Sequence, residues 1–120
     1  MFSKTFCALL LLVATARAIP APAAAPVSPC AAVHIIAARA STEAPGPGII
    51  GALVTQVQNA SRQTVSTNSV NYPATLTNYA DSSAQGTAAT MQMLTSQANT
   101  CPSQKIVLVG YSQVWAFLLQ

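Results

Sequence analysis

The sequence predicts an α/β fold, a doubly wound three-layer α/β/α sandwich with a parallel sheet. Short apolar runs typical of buried strands alternate with segments in which apolar residues recur at helical spacing. The apolar run at residues 105–109 is continuous, as in a strand that is covered on both faces of a parallel sheet. The order strand, helix, strand, helix, strand favours parallel strands joined by crossover helices.

The first strand, helix and second strand are predicted from three segments. Residues 32–38 are apolar and rich in β-branched side chains, which predicts the first strand. Residues 39–48 are polar and end in alternating proline and glycine, which indicates a loop. A helix should follow and end near Asn59, and residues 67–72 predict a second strand that Pro73 ends. The apolar positions of this helix are Ile49, Ile50, Leu53, Val54 and Val57.

A second helix is predicted between the second and third strands. Ser82 and Gln85 have the spacing of a capping box, in which each side chain bonds a backbone amide of the other residue. The helix should therefore begin at Ser82 and end near Ala98. Pro102 then interrupts the helical pattern before the third strand.

The N-terminal segment has the features of an export signal. Lys4 precedes an apolar run, and Ala16-Arg17-Ala18 fits a signal-peptidase site, so residues 1–18 are predicted to be a signal peptide. The run is shorter than the roughly 20 residues that cross a membrane. Residues 19–29, rich in proline and alanine, predict a spacer or pro-segment. The folded domain is therefore predicted at residues 30–120 of a secreted protein with no membrane segment.

Charge and cysteine content of the exported chain limit its partners. Beyond residue 18, three basic side chains face two acidic ones, a net charge of +1 with no basic patch, which argues against nucleic-acid binding. Cys30 and Cys101 remain after Cys7 leaves with the signal, and they form either a disulfide or two free thiols. The triplet that begins at Asn59 is an N-glycosylation acceptor sequence.

A candidate nucleophile follows the third strand. Gly110-Tyr111-Ser112-Gln113 comes directly after residues 105–109. In an α/β hydrolase the nucleophilic serine occupies a sharp strand-to-helix turn of pattern G-x-S-x-G, and the next amide points at the developing oxyanion. Three such letters are common by chance and also fit an ordinary turn serine. The position after a buried strand favours a catalytic role for Ser112.

From Cys30 to Gln113 the sequence resembles the cutinase and acetylxylan esterase family (carbohydrate esterase family five), which has the α/β-hydrolase fold. Several segments in order carry the resemblance. The segment 38–43 is similar to the family's A-R-G-S-T-E loop, and 71–74 ends the second strand. Gly86 lies in the second helix, and Cys101-Pro102 leads to the strand and turn at 106–113.

The resemblance implies a complete set of roles. Ser112 would be the nucleophile, and Ser41 and Gln113 would form the oxyanion hole through backbone amides and the Ser41 hydroxyl. Cys30 would pair with Cys101. The family cleaves carboxylic esters with serine, aspartate and histidine and needs no metal or other cofactor. Its substrates are polymeric esters, cutin or acetylated xylan, and the resemblance implies an extracellular monomer.

After Gln113 the resemblance ends. Val114 replaces the second glycine of the turn, and overpacking or strain at this position is expected to reduce stability by roughly 1–3 kcal/mol. In this fold the acid and the histidine follow the serine in chain order. His34, the possible base, should lie roughly 16 Å from the carboxyl end of the first strand, where the active site would be, at 3.3 Å per strand residue. Asp81, a possible acid, should cap the helix or lie on the surface. Glu43 is interpreted as a loop carboxylate. Arg39 would either hold that loop or be solvated.

The sequence therefore predicts a partial catalytic domain, truncated after the nucleophile turn and inactive without its acid and base. Every valine codon begins with the bases that usually open an intron, so we expect a gene-assignment or splicing artefact after Gln113. Two alternatives stay open. One is a non-catalytic secreted protein that binds a polymer in the same crevice, and the other is an orphaned gene product that does not fold.

Overall fold

A computed structural model describes residues 29–114. The predicted signal peptide at 1–18, the predicted spacer except its last residue, and residues 115–120 lie outside this range. The described elements in chain order are β1 (Val33–Ala38), a 3-10 turn (Gly48–Ile50), α1 (Gly51–Ala60), β2 (Val65–Ser69), α2 (Tyr79–Thr100), β3 (Lys105–Gly110) and a second 3-10 turn (Ser112–Val114).

The three strands form a parallel sheet in the order β2-β1-β3. β1 is central, and Val33 lies level with Val65 of β2 and with Lys105 of β3. At the other end Ala38 pairs with Gly110. The carboxyl ends of β1 and β3 are therefore adjacent, which brings together the two segments that carry the predicted site.

Apolar side chains of β1 are buried on both faces of the sheet, so the predicted α/β/α layering is confirmed. Residues alternate in direction along a strand. On one face Ile35 and Ala37 pack with Val54 of α1. On the opposite face Ile36 and Ala38 form a second core with the segment after β2 and with α2. The further members of this second core are Val70, Tyr72, Ala74, Ala89, Met93, Leu94, Ile106 and Leu108.

The second strand ends earlier than the predicted range of 67–72. β2 spans Val65–Ser69, yet Val70 and Tyr72 are both buried. The amide of Val70 still donates to the carbonyl of Ala37 at 2.8 Å. The apolar pattern thus identified the buried Val70 and Tyr72, but the strand both begins and ends earlier than predicted.

The predicted capping box at Ser82 is wrong. α2 begins at Tyr79, and the amide of Ser82 already donates to the carbonyl of Asn78 within the first turn. The Ser82 hydroxyl is buried and accepts a hydrogen bond from the amide of Thr75 at 3.1 Å. The hydroxyl therefore stabilises the loop before the helix and does not cap the helix. The helix continues to Thr100, beyond the predicted end near Ala98.

The expectation that the third strand is covered on both faces is wrong within the described residues. Residues 105–109 do form β3, but Lys105 is exposed and the Val107 side chain is 41% exposed. Among residues 29–114 this strand pairs with β1 and with no other strand. A continuous apolar run therefore identified the strand but overstated its burial here.

The first helix buries less of its apolar pattern than the spacing suggests. Val54 is the buried residue of α1, and Ile50 packs beside it. Ile49, Leu53 and Val57, which share the helical spacing, remain between 40% and 67% exposed. The helix ends at Ala60, close to the predicted end.

A disulfide joins Cys30 to Cys101, with Cα atoms 5.7 Å apart, as the resemblance implied. It links the segment before β1 to the residue that follows α2. No helix in the described part of the chain is long and apolar enough to cross a membrane.

Candidate active site

Ser112 occupies a sharp turn directly after β3. Its φ angle is +63°, in the left-handed region that residues other than glycine rarely adopt. Such a conformation costs on the order of 1–3 kcal/mol and is concentrated at functional sites. The side chain is exposed, and a 3-10 turn begins at the same residue. The strand therefore delivers a strained, accessible serine at the carboxyl edge of the sheet.

The side chain of Gln113 anchors this turn to the start of α2. Its side chain is 1% exposed. The amide nitrogen donates both of its hydrogens, to the carbonyl of Tyr79 and to the hydroxyl of Ser83, each at 3.2 Å. Because a carbonyl only accepts, the bond to Tyr79 fixes which end of the amide is the nitrogen. The start of α2 thus holds Gln113 in one orientation.

The orientation of Gln113 determines the role of the Ser41 hydroxyl in this structure. The Gln113 Oε1 atom faces Ser41 at 3.0 Å and can only accept, so the Ser41 hydroxyl donates its one hydrogen to Gln113. In this arrangement the hydroxyl ties the loop after β1 to the turn after β3. The Ser41 hydroxyl could donate this hydrogen to another acceptor only after it rotates away from Gln113.

Glu43 shapes the loop that carries Ser41. One carboxylate oxygen accepts from the amide of Ala40 at 2.7 Å, and the other accepts from the amide of Ile49 at 2.8 Å. A β-carbon at Gly48 would lie 2.0 Å from the Glu43 carboxylate, and the φ angle of Gly48 is +62°, so this position requires glycine. Glu43 is therefore a loop carboxylate, as the sequence predicted.

Thr42 closes the same loop against the segment after β2. Its φ angle is +68°, and its amide donates to the carbonyl of Ala74 at 2.7 Å. This hydrogen bond therefore fixes the strained turn at Thr42, the residue next to Ser41. Together with the Glu43 bonds, this contact sets the direction of the Ser41 backbone.

Arg39 is buried and supports the loop from inside the protein. Its guanidinium donates to the carbonyls of Glu43 at 3.0 Å, of Val70 at 3.4 Å and of Tyr72. It also lies 5.0 Å from the centre of the Tyr72 ring, a cation–π distance. The Tyr72 hydroxyl donates to the carbonyl of Arg39. Of the two alternatives for Arg39, the structure therefore favours the one in which it holds the loop.

Burial raises the pKa of Tyr72, and the positive charge of Arg39 opposes the rise. Tyr72 therefore stays protonated and keeps its hydrogen bond to the Arg39 carbonyl at neutral pH. Tyr72 lies in the segment 71–74 that carries part of the resemblance, but neither its contact with Arg39 nor the contact of Ser83 with Gln113 was predicted from the sequence. Both contacts depend on tertiary packing between residues about 30 positions apart, so no local pattern marks them.

The structure does not bring His34 or Asp81 to Ser112. His34 lies near the start of β1 and is buried, with Nδ1 2.7 Å from the Ser66 hydroxyl on β2. Asp81 lies in the first turn of α2 and accepts a hydrogen bond from the side chain of Asn78. Within residues 29–114, no histidine or carboxylate forms a hydrogen bond with Ser112. The same part of the chain has no cluster of metal-ligating side chains.

Two further sequence predictions concern single positions. Asn59 is exposed near the end of α1, and its glycosylation stays a prediction. The cost of Val114 stays a prediction, because its side chain lies outside what the structure describes.

A strained serine between a parallel strand and a helical turn, beside a loop from the neighbouring strand, is the arrangement that α/β hydrolases use for their nucleophile. The sequence profile of the family named Cutinase matches residues 29–117. Acetylxylan esterase 2 of Talaromyces purpureogenus is 39% identical over 120 aligned residues, which cover 94% of this chain and 50% of that protein. Cutinase 11 of Verticillium dahliae is 35% identical over 91 residues, or 70% of this chain and 30% of that protein.

The fold comparison agrees with the sequence comparison. The catalytic core domain of acetylxylan esterase from Trichoderma reesei superposes with a TM-score of 0.66 at 33% identity, covering 70% of this chain and 44% of the other. The chain belongs to the cutinase family and has the α/β-hydrolase fold of its relatives. It spans half or less of the length of these relatives.

Proposed function

We propose that this protein is a secreted serine esterase that hydrolyses carboxylic esters of plant cell-wall polymers, either cutin or acetylated xylan. The observation that carries the proposal is the exposed Ser112 with its φ angle of +63° directly after β3. The names of the relatives support an ester-hydrolysing activity and a polymeric substrate. The predicted signal peptide at 1–18 supports export.

The reaction assigned to this site is acyl transfer through Ser112. A base takes the hydroxyl proton as Oγ attacks the ester carbonyl, and the proton then passes to the departing alcohol. Water afterwards cleaves the acyl-enzyme and regenerates the serine. The base and its acid would come from outside residues 29–114, since no described titratable group bonds Ser112.

Stabilisation of the oxyanion is assigned to the backbone amides of Ser41 and Gln113. Within the described residues, no acceptor is bonded to the Ser41 amide, which leaves it available to a ligand. Fixed donors of this kind typically lower the activation barrier by about 3–4 kcal/mol each. The bonds that Glu43 and Gln113 make hold these donors in place before substrate arrives.

The 120 residues alone should show no serine-dependent turnover, because a serine without a base is a poor nucleophile. Purified chain and its Ser112→Ala variant would be assayed on nitrophenyl acetate and butyrate. We expect the two rates to be equal. A rate well above buffer that the variant loses would contradict the predicted inactivity and would establish Ser112 as a nucleophile.

The esterase proposal itself is tested on the spliced transcript. The protein it encodes would be expressed with and without Ser112→Ala and assayed on acetylated xylan and on cutin. Release of acetate or of hydroxy fatty acids that depends on Ser112 would support the proposal and select the substrate. A spliced message that encodes no histidine or acid after Gln113 would refute catalysis.

A second candidate is a non-catalytic protein that binds a polymer at the exposed surface around Ser112. It predicts retention of the chain on insoluble acetylated xylan or cutin. Binding should survive Ser112→Ala, because that change removes one hydroxyl from a wide contact. Absence of retention on both polymers would remove this candidate.

A further inference from the structure

A polar crevice lies on the α2 face of the sheet, away from Ser112. It has a volume of about 250 Å³ and is bordered by β1, β2 and the second half of α2. His34 is four residues before Ala38 on β1, so the crevice is roughly 13 Å from the carboxyl edge at 3.3 Å per residue. The lining residues are His34, Asn68, Gln92, Met93, Ser96 and Gln97.

The imidazole of His34 has one nitrogen free for a ligand. His34 is 4% exposed, and Nδ1 is taken by the Ser66 hydroxyl at 2.7 Å. In the described part of the chain, no fully buried side-chain nitrogen or oxygen lacks a partner. Because Nε2 has no protein partner among these residues and His34 lines the crevice, Nε2 must reach the open space.

The chemistry of the lining favours neutral ligands over charged ones, because it offers no charged partner. None of the six side chains carries a formal charge at neutral pH, since burial lowers the pKa of His34 and keeps the imidazole neutral. The amide, hydroxyl and imidazole groups supply both donors and acceptors, and Met93 supplies an apolar contact. A neutral ligand with several hydroxyl groups and one apolar side matches this set.

We propose that this crevice is a binding site for a single neutral sugar ring, separate from the Ser112 site. Its volume is below the roughly 300–1,000 Å³ of pockets that enclose drug-sized ligands, so it holds one ring rather than an extended chain. If the ring belongs to a polymer, a second contact raises the effective concentration of that polymer at the protein. The proposal does not depend on ester hydrolysis.

The test is a titration of the ¹⁵N-labelled chain with xylobiose, followed by the signals of the His34 ring and the side-chain amides of Asn68 and Gln92. We expect saturable shifts at these three positions. Gln92→Ala should weaken binding about fivefold, the value of one neutral hydrogen bond. Gln58→Ala, an exposed glutamine on α1, is the matched control and should leave the affinity unchanged.

Several outcomes would overturn the proposal. These are linear shifts without saturation, equal shifts with sodium acetate or glycerol, or an affinity that Gln92→Ala leaves unchanged. An amide spectrum without dispersion would also overturn it, because the crevice requires α2 packed on the sheet. Ser112→Ala should bind xylobiose as the unmodified chain does, so a failure of the esterase proposal would leave these shifts intact.

Discussion

Glu43 and Arg39 hold the Ser41 loop with opposite charges directed at backbone groups. The carboxylate accepts from two amides on either side of the turn. The guanidinium donates to three carbonyls, one of them that of Glu43 itself. Hydrogen bonds to charged groups are stronger than neutral ones, so these two side chains make the loop rigid where the proposed oxyanion donor lies.

Replacement of Glu43 by glutamine should therefore destabilise the protein. The new amide can accept through one oxygen only, and its NH₂ group would face a backbone N–H that has lost its acceptor. We expect the free energy of unfolding to fall by about 2 kcal/mol. Urea unfolding followed by circular dichroism measures it.

Asp81→Asn is the matched control for this change. It is also a carboxylate-to-amide substitution, but Asp81 is exposed and accepts one bond from Asn78. Its effect should stay within about 0.5 kcal/mol. Equal losses for Glu43→Gln and Asp81→Asn would contradict the role assigned to the Glu43 carboxylate.

His34 should make the stability depend on pH, since it is the one histidine in the sequence. Burial lowers its pKa from 6.5 in the folded state, so the unfolded chain binds the proton more readily. Stability should therefore be fully present above about pH 6.5 and decrease as the pH falls from 6.5 towards the lower folded value. Urea midpoints measured between pH 5 and 7.5 test this.

The His34→Gln variant is the control for the pH experiment. Its amide side chain does not take up a proton in this range, so its urea midpoint should vary little between pH 5 and 7.5, whatever its absolute stability. A slope equal to that of the unmodified protein would assign the pH dependence to other groups.

The two faces of α1 differ in what they contribute. Val54 is buried against Ile35 and Ala37, whereas Leu53 beside it is 49% exposed. Val54→Ala should cost about 2 kcal/mol, because it removes buried methyl groups and leaves a cavity. Leu53→Ala should change the unfolding free energy by no more than about 0.5 kcal/mol. Similar effects of the two variants in urea unfolding would mean that α1 packs differently.

Local patterns in the sequence predicted which segments form strands and helices. They predicted less well where the helices begin and which side chains are buried. Residues 105–109 and the serine that follows them were recognisable because a strand and a tight turn each depend on neighbouring residues. The start of α2 was not, because the Ser82 hydroxyl bonds Thr75 rather than an amide of its own helix. The apolar spacing on α1 likewise gave no sign of which side chains the sheet would cover.

The candidate site shows the same division. The tight turn at Ser112 could be predicted from Gly110-Tyr111-Ser112-Gln113 because the geometry of such a turn is local. The anchors of Gln113 lie at the start of α2, and Ser83 is 30 positions earlier in the chain. Burial of Arg39 likewise depends on carbonyls more than 30 positions later. Such contacts follow from the packed fold, and no spacing in the sequence encodes them.

The described part of the molecule is small, and the covalent link between two distant segments should carry much of its stability. Small domains bury a modest share of their surface and depend more on disulfides than large ones do. The bond between Cys30 and Cys101 closes a loop with a sequence separation of 71. In the chain-entropy model, such a loop contributes about 4 kcal/mol by restricting the unfolded chain.

Reduction of this disulfide should therefore lower the free energy of unfolding by about 4 kcal/mol, a large share of the roughly 5–15 kcal/mol typical of a domain. Urea unfolding of the exported chain would be followed by circular dichroism with and without reductant. The Cys30→Ala, Cys101→Ala double variant should match the reduced protein and should not respond to reductant. Coincident curves for the oxidised and reduced protein would contradict the prediction, and an oxidised chain without a cooperative transition would show that these residues do not fold alone.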